Sequence, residues 1–183
     1  AAVETRDPYT AGHQDNVTLI CMTIGQEMGL DAKTMSGLEL AANVHDIGKI
    51  QIPAEILSKP GRLTEIEFEM IKTHPVTGSK LLKNVTFTWP IADIVRQHHE
   101  RIDGSGYPDG LVGDQILMEA RVVAVADVME AMASHRPYRA ALGIDAALEE
   151  LRAGSGTRYD PTVVAAAENQ IDAIKMVLRI ADT

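Results

Sequence analysis

The chain has 183 residues, 45% of them hydrophobic but only 4% aromatic, with a formal charge of -9 and one cysteine. That length suits a single domain over residues 1–183. The acidic balance argues against general binding to a DNA or RNA polymer. One cysteine excludes an intrachain disulfide, and no run is apolar and long enough to contact a membrane as a span. The opening "AAVETRDPYTAGH" has no Met, and we read the chain as an excised cytoplasmic domain of a larger regulated protein.

With few aromatic residues, the core must be Ala, Leu, Ile, Val and Met, which favours helix packing over a β-sandwich. "HQDNVTLICMTIGQEMGL" places Val17, Ile20, Cys21, Ile24 and Met28 on one helical face. Cys21 reads there as a buried apolar thiol. Gly29 stops this helix, and Asp31 caps the next, which runs to about His45. "TEIEFEMIKTH" opens with a capping box, Thr64 with Glu67. "TWPIADIVRQHH" predicts a helix with Pro90 in its early part. "LMEARVVAVADVMEAMASH" contains a β-branched run, but its length and lack of breakers predict a long central helix. "DAALEELRAG" and "DPTVVAAAENQI" predict two more, the second capped by Asp160 with Pro161 in its first turn. Loops are expected at 58–63, 103–115 and 153–160. The fold class is all-α.

Six histidines are present, and only His135 stands apart from a motif. Each of the others has an ordinary account. His45 with Asp46 at a helix end could be a cap. His74 before Pro75 could open a helix. His98 and His99 on one helix would point their rings about 100° apart, leaving one solvated. Asp127 resists such an account, because a lone carboxylate in an apolar helix needs a partner or a metal. Taken together, four histidines and two aspartates spread over four helices suit two divalent ions. Without thiolate ligands these would be Fe, Mn or Zn. Two such ions clamp phosphoryl oxygens, which is the machinery of phosphoester hydrolysis. A net acidic chain can still take a phosphate, since bound cations reverse the local field.

"HDIGK", "HPVTGSKLL", "HHERIDGSGYP", "ADVMEAMASHRPYR" and "GTRYDP", in that order, resemble the HD-GYP family of the HD-domain phosphohydrolases. The likeness runs from "RDPYTAGH" to "GTRYDP". It implies an HD-domain helical bundle with additional C-terminal helices. It also implies a bacterial phosphodiesterase that converts cyclic di-GMP to pGpG, and in some members onward to GMP.

Carried over by motif, the resemblance implies His45, Asp46, His74, His98, His99 and Asp127 as metal ligands, with Asp46 bridging. Lys49 would meet a phosphate, and Asp7 stands where the family pairs an acid with that lysine. Asp46, Lys49 and Asp7 are thus the implied catalytic group. Tyr107, Arg136 and Arg139, with Lys49, would contact the nucleotide. Gly104, Gly106 and Gly110 would permit the turn that carries Tyr107, while Glu100, Asp103 and Asp109 would shape it. Some members hold a third metal through a Glu one turn before the position of His13. Here that position is Tyr9, and Glu4 is too distant to substitute. We therefore expect two ions, Fe or Mn, and no third, with His13 as a weak third-metal ligand or a lining group. The implied partners are a cyclic dinucleotide, an upstream sensory or receiver domain, GGDEF-domain proteins and a second copy of the chain. Two other readings stand beside this one: a hydrolase of another cyclic dinucleotide or nucleotide, such as cyclic GMP-AMP, and a non-catalytic sensor or docking module.

Overall fold

The computed structural model describes residues 12–134 and 142–180. Among these residues the chain forms α1 (His13–Glu27), α2 (Ala32–Val44), α3 (Ala54–Leu57), α4 (Glu65–Ile71), α5 (His74–Leu82), α6 (Ile91–Gln97), α7 (Met118–Ala133), α8 (Ile144–Gly154), α9 (Pro161–Asn169) and α10 (Ile171–Ile180). Short 3-10 turns occupy Ile47–Gln51 and Gly113–Gln115. No strand forms among the described residues beyond two isolated bridges. The fold is the expected all-α bundle.

The caps follow local chemistry. Asp31 accepts from the Lys33 and Thr34 amides at the start of α2. Thr64 and Glu67 complete the expected capping box on α4. Asp160 accepts from the Thr162 amide, with Pro161 in the first turn of α9. Each satisfies amides that a helix start leaves without partners.

Helices α1 and α7 form the centre. α1 packs on α2, α7, α9 and α10, while α7 also meets α2, α6, α8 and α9. Val17, Ile20, Cys21 and Ile24 of α1 are fully buried, as are Val122, Val123, Val125, Ala126 and Met129 of α7. Burial on every side explains the nearly continuous apolar run of α7 and its helical fold despite its valines. Met28 is only partly buried at the edge of this core. Burial pushes the Cys21 thiol up, so it stays protonated inside the core.

The structure differs from the expectations in four places. The stretch from Thr64 to His74 is not one helix: it stops at Ile71 and restarts as α5 at His74. Helix α6 ends at Gln97, so His98 is its C-cap and His99 lies beyond. The 100° separation expected of two helical neighbours therefore does not apply. Helices α3 and α10 form where the sequence patterns showed none, while α5 opens at His74 before Pro75, as a helix-entry residue there would. α8 also extends to Gly154, into the loop expected from 153.

One close approach positions the site. A Cβ at Gly48 would lie 1.9 Å from the His74 carbonyl oxygen and 2.6 Å from the Gly78 amide. Glycine thus lets the turn after α2 press directly on α5. That contact brings Asp46 beside His74.

Candidate metal centre

Most of the site's groups lie at helix ends. His13 opens α1, His45 closes α2, Asp46 starts the 3-10 turn, His74 opens α5, and His98 and His99 follow α6. Only Asp127 comes from mid-helix, on α7. Helix ends are where the chain turns, so five separate segments can converge on one point.

Three of the histidines are held in the same way. His45 Nδ1 donates to the Ala42 carbonyl at 2.7 Å, His74 Nδ1 to Ile71 at 2.7 Å, and His98 Nδ1 to Val95 at 2.6 Å. A carbonyl only accepts, so each Nδ1 carries the proton and each neutral ring presents a bare Nε2. His13 is held differently, with Nδ1 bonded to the Glu130 carboxylate. Ser134 Oγ donates to the other Glu130 oxygen at 2.8 Å. Glu130 was not singled out in the sequence. It lies one helical turn after Asp127 on α7, and that i, i+3 spacing is the signal that marks it.

The bare nitrogens and carboxylates fall into two groups. One is His74, His98 and His99, and the other is His13, His45 and Asp127. Within each, ligand atoms lie within 4.8 Å of one another. Asp46 lies between them. Its Oδ1 is 3.3 Å from His74 Nε2, while its Oδ2 is 3.5 Å from His45 Nε2 and 3.8 Å from His13 Nε2. Asp127 Oδ1 is 3.4 Å from His13 Nε2.

These donors fit divalent cations. His45 Nε2 is fully buried and has no hydrogen-bond partner, although a buried acceptor without one is costly. His74 Nε2 and His98 Nε2 face each other at 3.2 Å, both stripped of protons by the bonds on their Nδ1 side. A cation between two lone pairs removes both difficulties. The donor set, imidazole and carboxylate without thiolate, suits a transition metal.

Electrostatics prepare the ligands. Burial, reinforced by neighbouring imidazoles, holds His98 well below the ordinary imidazole range. Burial takes His99 down to about 3 and also lowers His45. These rings are therefore neutral, as ligands must be. Burial opposes ionisation of Asp46, yet the adjacent Lys49 ammonium holds its carboxyl well below the usual range. Burial likewise opposes ionisation of Asp127, and His13 holds that carboxyl well below the usual range. For His13 burial lowers the pKa, but Asp127 and Glu130 outweigh it and raise the ring to about 9.

Lys49 Nζ donates to Asp46 Oδ2 at 2.5 Å, so its ammonium does reach the mouth of the site. Tyr107 stacks on His99, with centroids 4.8 Å apart and planes 24° apart. The loop carrying Tyr107 is fastened by the buried Glu100, which accepts from the Asp109 amide at 2.7 Å and the Leu111 amide at 3.1 Å. Asp109 pairs with Arg96 through two bonds of 2.7 Å, and Asp103 accepts from Ser105. A Cβ at Gly106 would meet the Arg101 amide at 2.3 Å, so only glycine fits there. Asp7, Tyr9, His135, Arg136 and Arg139 lie outside the described residues.

A helical bundle with histidines and aspartates gathered at its helix ends is the class of architecture that the HD domain defines, and the comparisons agree. The HD domain family model matches residues 1–163. The chain belongs to the HD-domain family, in its HD-GYP form, with Gly106-Tyr107-Pro108 following the His98-His99 pair.

Among its relatives is the cyclic di-GMP phosphodiesterase response regulator RpfG of Xanthomonas campestris pv. campestris (strain 8004). It is 46% identical over 165 residues, which cover 89% of this chain and 44% of that protein. The 3'3'-cGAMP-specific phosphodiesterase 3 of Vibrio cholerae is 35% identical over 170 residues, 93% of this chain and 37% of that protein. The chain thus spans less than half the length of these relatives. A solved HDG"Y"P protein from Bdellovibrio bacteriovorus superposes with a TM-score of 0.71 at 20% identity, over 87% of this chain and 51% of that one, which shows a shared fold.

Proposed function

We propose that the chain is the catalytic domain of a metal-dependent phosphodiesterase that hydrolyses cyclic di-GMP to pGpG. The observation that carries this reading is the placement of Asp46, which turns one oxygen toward each of two groups of metal-capable side chains. The printed activities of the relatives, cyclic di-GMP and 3'3'-cGAMP hydrolysis, support the substrate class.

We assign His74, His98 and His99 to one ion and His13, His45 and Asp127 to a second, with Asp46 shared. His13 then belongs to the two-ion set. Iron or manganese suits the imidazole and carboxylate donors. When bound, such ions supply Lewis acidity toward phosphoryl oxygens and the attacking water.

The chain's own residues then do the rest. The three carbonyl-bonded histidines keep Nε2 aimed at the centre without reorganisation. Lys49, held on Asp46, is assigned to meet a phosphate oxygen, and Asp7 is assigned as the acid that pairs with it. Tyr107, backed by His99, borders the nucleotide. Arg136 and Arg139 take the nucleotide's phosphates or stack on guanine. In the whole protein we place this module in the cytoplasm, under an upstream sensory or receiver domain, with GGDEF-domain proteins or a second copy as partners. No helix among the described residues is long and apolar enough to cross a membrane.

The test is direct. Anaerobically purified protein, loaded with Fe or Mn, is incubated with cyclic di-GMP, cyclic GMP-AMP and cyclic di-AMP, and products are identified by mass. Formation of pGpG from cyclic di-GMP is expected. Preferential cleavage of cyclic GMP-AMP would reassign the substrate, and no cleavage of any would overturn the enzymatic reading in favour of a sensor.

A further inference from the structure

Lys72, two residues before His74, has no role in the scheme above, yet it borders the centre. Its ammonium lies 5.6 Å from the centroid of the Tyr107 ring and 5.7 Å from that of Phe68. Tyr107 in turn stacks on His99. His99, Tyr107, Lys72 and Phe68 thus form a file that leads from the metal-capable histidines to the surface. Phe68 is half-exposed at its outer end, an unusual place for one of only two phenylalanines in the chain.

Lys72 is not committed elsewhere. Its ion-pair partner is Glu69 at 2.7 Å, one turn away on the rim and 61% exposed. An exposed pair of this kind holds a lysine only weakly. Lys49 differs, because its pair is with the buried Asp46. The rim therefore offers an ammonium flanked by two aromatic rings. Aromatic rings with interleaved cations are the composition of a platform for nucleotide bases.

The geometry points to Lys72 as the residue that reads the base of a bound nucleotide, favouring guanine over adenine. This rests on the cyclic-dinucleotide reading of the centre. A nucleotide whose phosphate lies at the histidines must direct its bases outward, and the Tyr107–Phe68 side is one way out. Lysine has donors only. Guanine presents two adjacent acceptors, O6 and N7, whereas adenine presents N7 beside an N6 donor. Lys72 thus finds two partners on guanine and a repelling donor on adenine. A lysine that met only phosphate would not distinguish the two bases.

The test compares metal-loaded wild type with Lys72→Met and Lys72→Arg. Steady-state kinetics are measured on cyclic di-GMP and cyclic di-AMP. Calorimetry measures binding of the linear pGpG and pApA, which reports without turnover. In Lys72→Met, KM for cyclic di-GMP and Kd for pGpG should rise roughly ten-fold or more, the loss of a charge-assisted contact. Values for the adenine compounds should hold or improve as the repelling ammonium goes, kcat should hold, and Lys72→Arg should retain the guanine preference. Equal losses on both bases would make Lys72 a phosphate contact and overturn the proposal, as would no loss at all. Lost metal or a lowered Tm in Lys72→Met would mark a structural role and overturn it too. Wild type that neither cleaves nor binds any of the four compounds defeats the parent reading. Wild type that prefers guanine alongside an unchanged Lys72→Met defeats only the role of Lys72.

Discussion

His74 and His98 bring their Nε2 atoms to 3.2 Å, with both Nδ1 protons already given to the carbonyls of Ile71 and Val95. Two lone pairs then face each other in a buried place. A bound cation should therefore stabilise the fold as well as the reaction. At a free metal concentration a hundred times Kd, one ion adds about 2.7 kcal/mol. For a chain of this length that is about 5–10 °C in Tm. Calorimetric melting of metal-loaded and chelator-stripped protein checks this, and coincident melts would contradict it.

Asp46 and His13 should differ in their effect on metal content. Asp46→Ala removes the carboxylate that faces both groups, so both ions should be lost. His13→Ala removes one of several ligands from one group and should leave close to one ion per chain. Elemental analysis of the purified variants separates the two outcomes, and activity should fall further in Asp46→Ala.

Glu130 orients His13 without facing the centre itself. Glu130→Gln keeps the shape but weakens the bond to His13 Nδ1 and removes one of the two charges, with Asp127, that raise that ring. Such outer partners are typically worth 10–100-fold in metal affinity or activity. Metal titration of Glu130→Gln should show one weakened site, with the His74, His98 and His99 group unchanged.

Glu100 is the anchor of the Tyr107 loop. In Glu100→Gln one of the two backbone amides, of Asp109 or Leu111, meets an amide donor in place of a carboxylate oxygen. The loss should be roughly 1.5–3 kcal/mol, read by denaturant unfolding. Gly106→Ala should be worse for the site, because its Cβ would strike backbone and displace Tyr107 from His99. Faster proteolysis between residues 101 and 112 is expected in both.

Asp160 gives the fold an acid limit. Burial would raise its pKa, but bonds from Thr162 and Arg121 hold it below the usual carboxylate range. A depressed folded pKa means stability that is full above the unfolded value, about 3.9, and is lost as pH falls through the folded value. Asp160→Asn should therefore be less stable than wild type at pH 7. The gap should close below about pH 4, as the wild-type carboxyl is protonated in turn. Urea melts across pH 2.5–7 would test this, because Asn keeps the cap but loses the ion pair with Arg121, and a gap that persists at the acid end would contradict it.

The local features were legible because their causes are local. Asp31, Thr64 with Glu67, and Asp160 with Pro161 each act within four residues of themselves, and each caps the helix it was expected to cap. The burial of α1 and the central place of α7 followed from apolar spacing alone. The break between Ile71 and His74, and the end of α6 at Gln97, were not legible. There the ring nitrogens of His74 and His98 bond to carbonyls three residues back, and the turn at Gly48 presses on the start of α5. Residue types and motif order by themselves point to a metal-bearing phosphohydrolase. Only the tertiary structure decided that His13 joins His45 and Asp127, that Glu130 stands behind it, and that Asp46 lies between the two groups. The physical reason is sequence distance: His13 and Glu130 are 117 positions apart, and no local propensity encodes a contact that only packing of α1 against α7 creates.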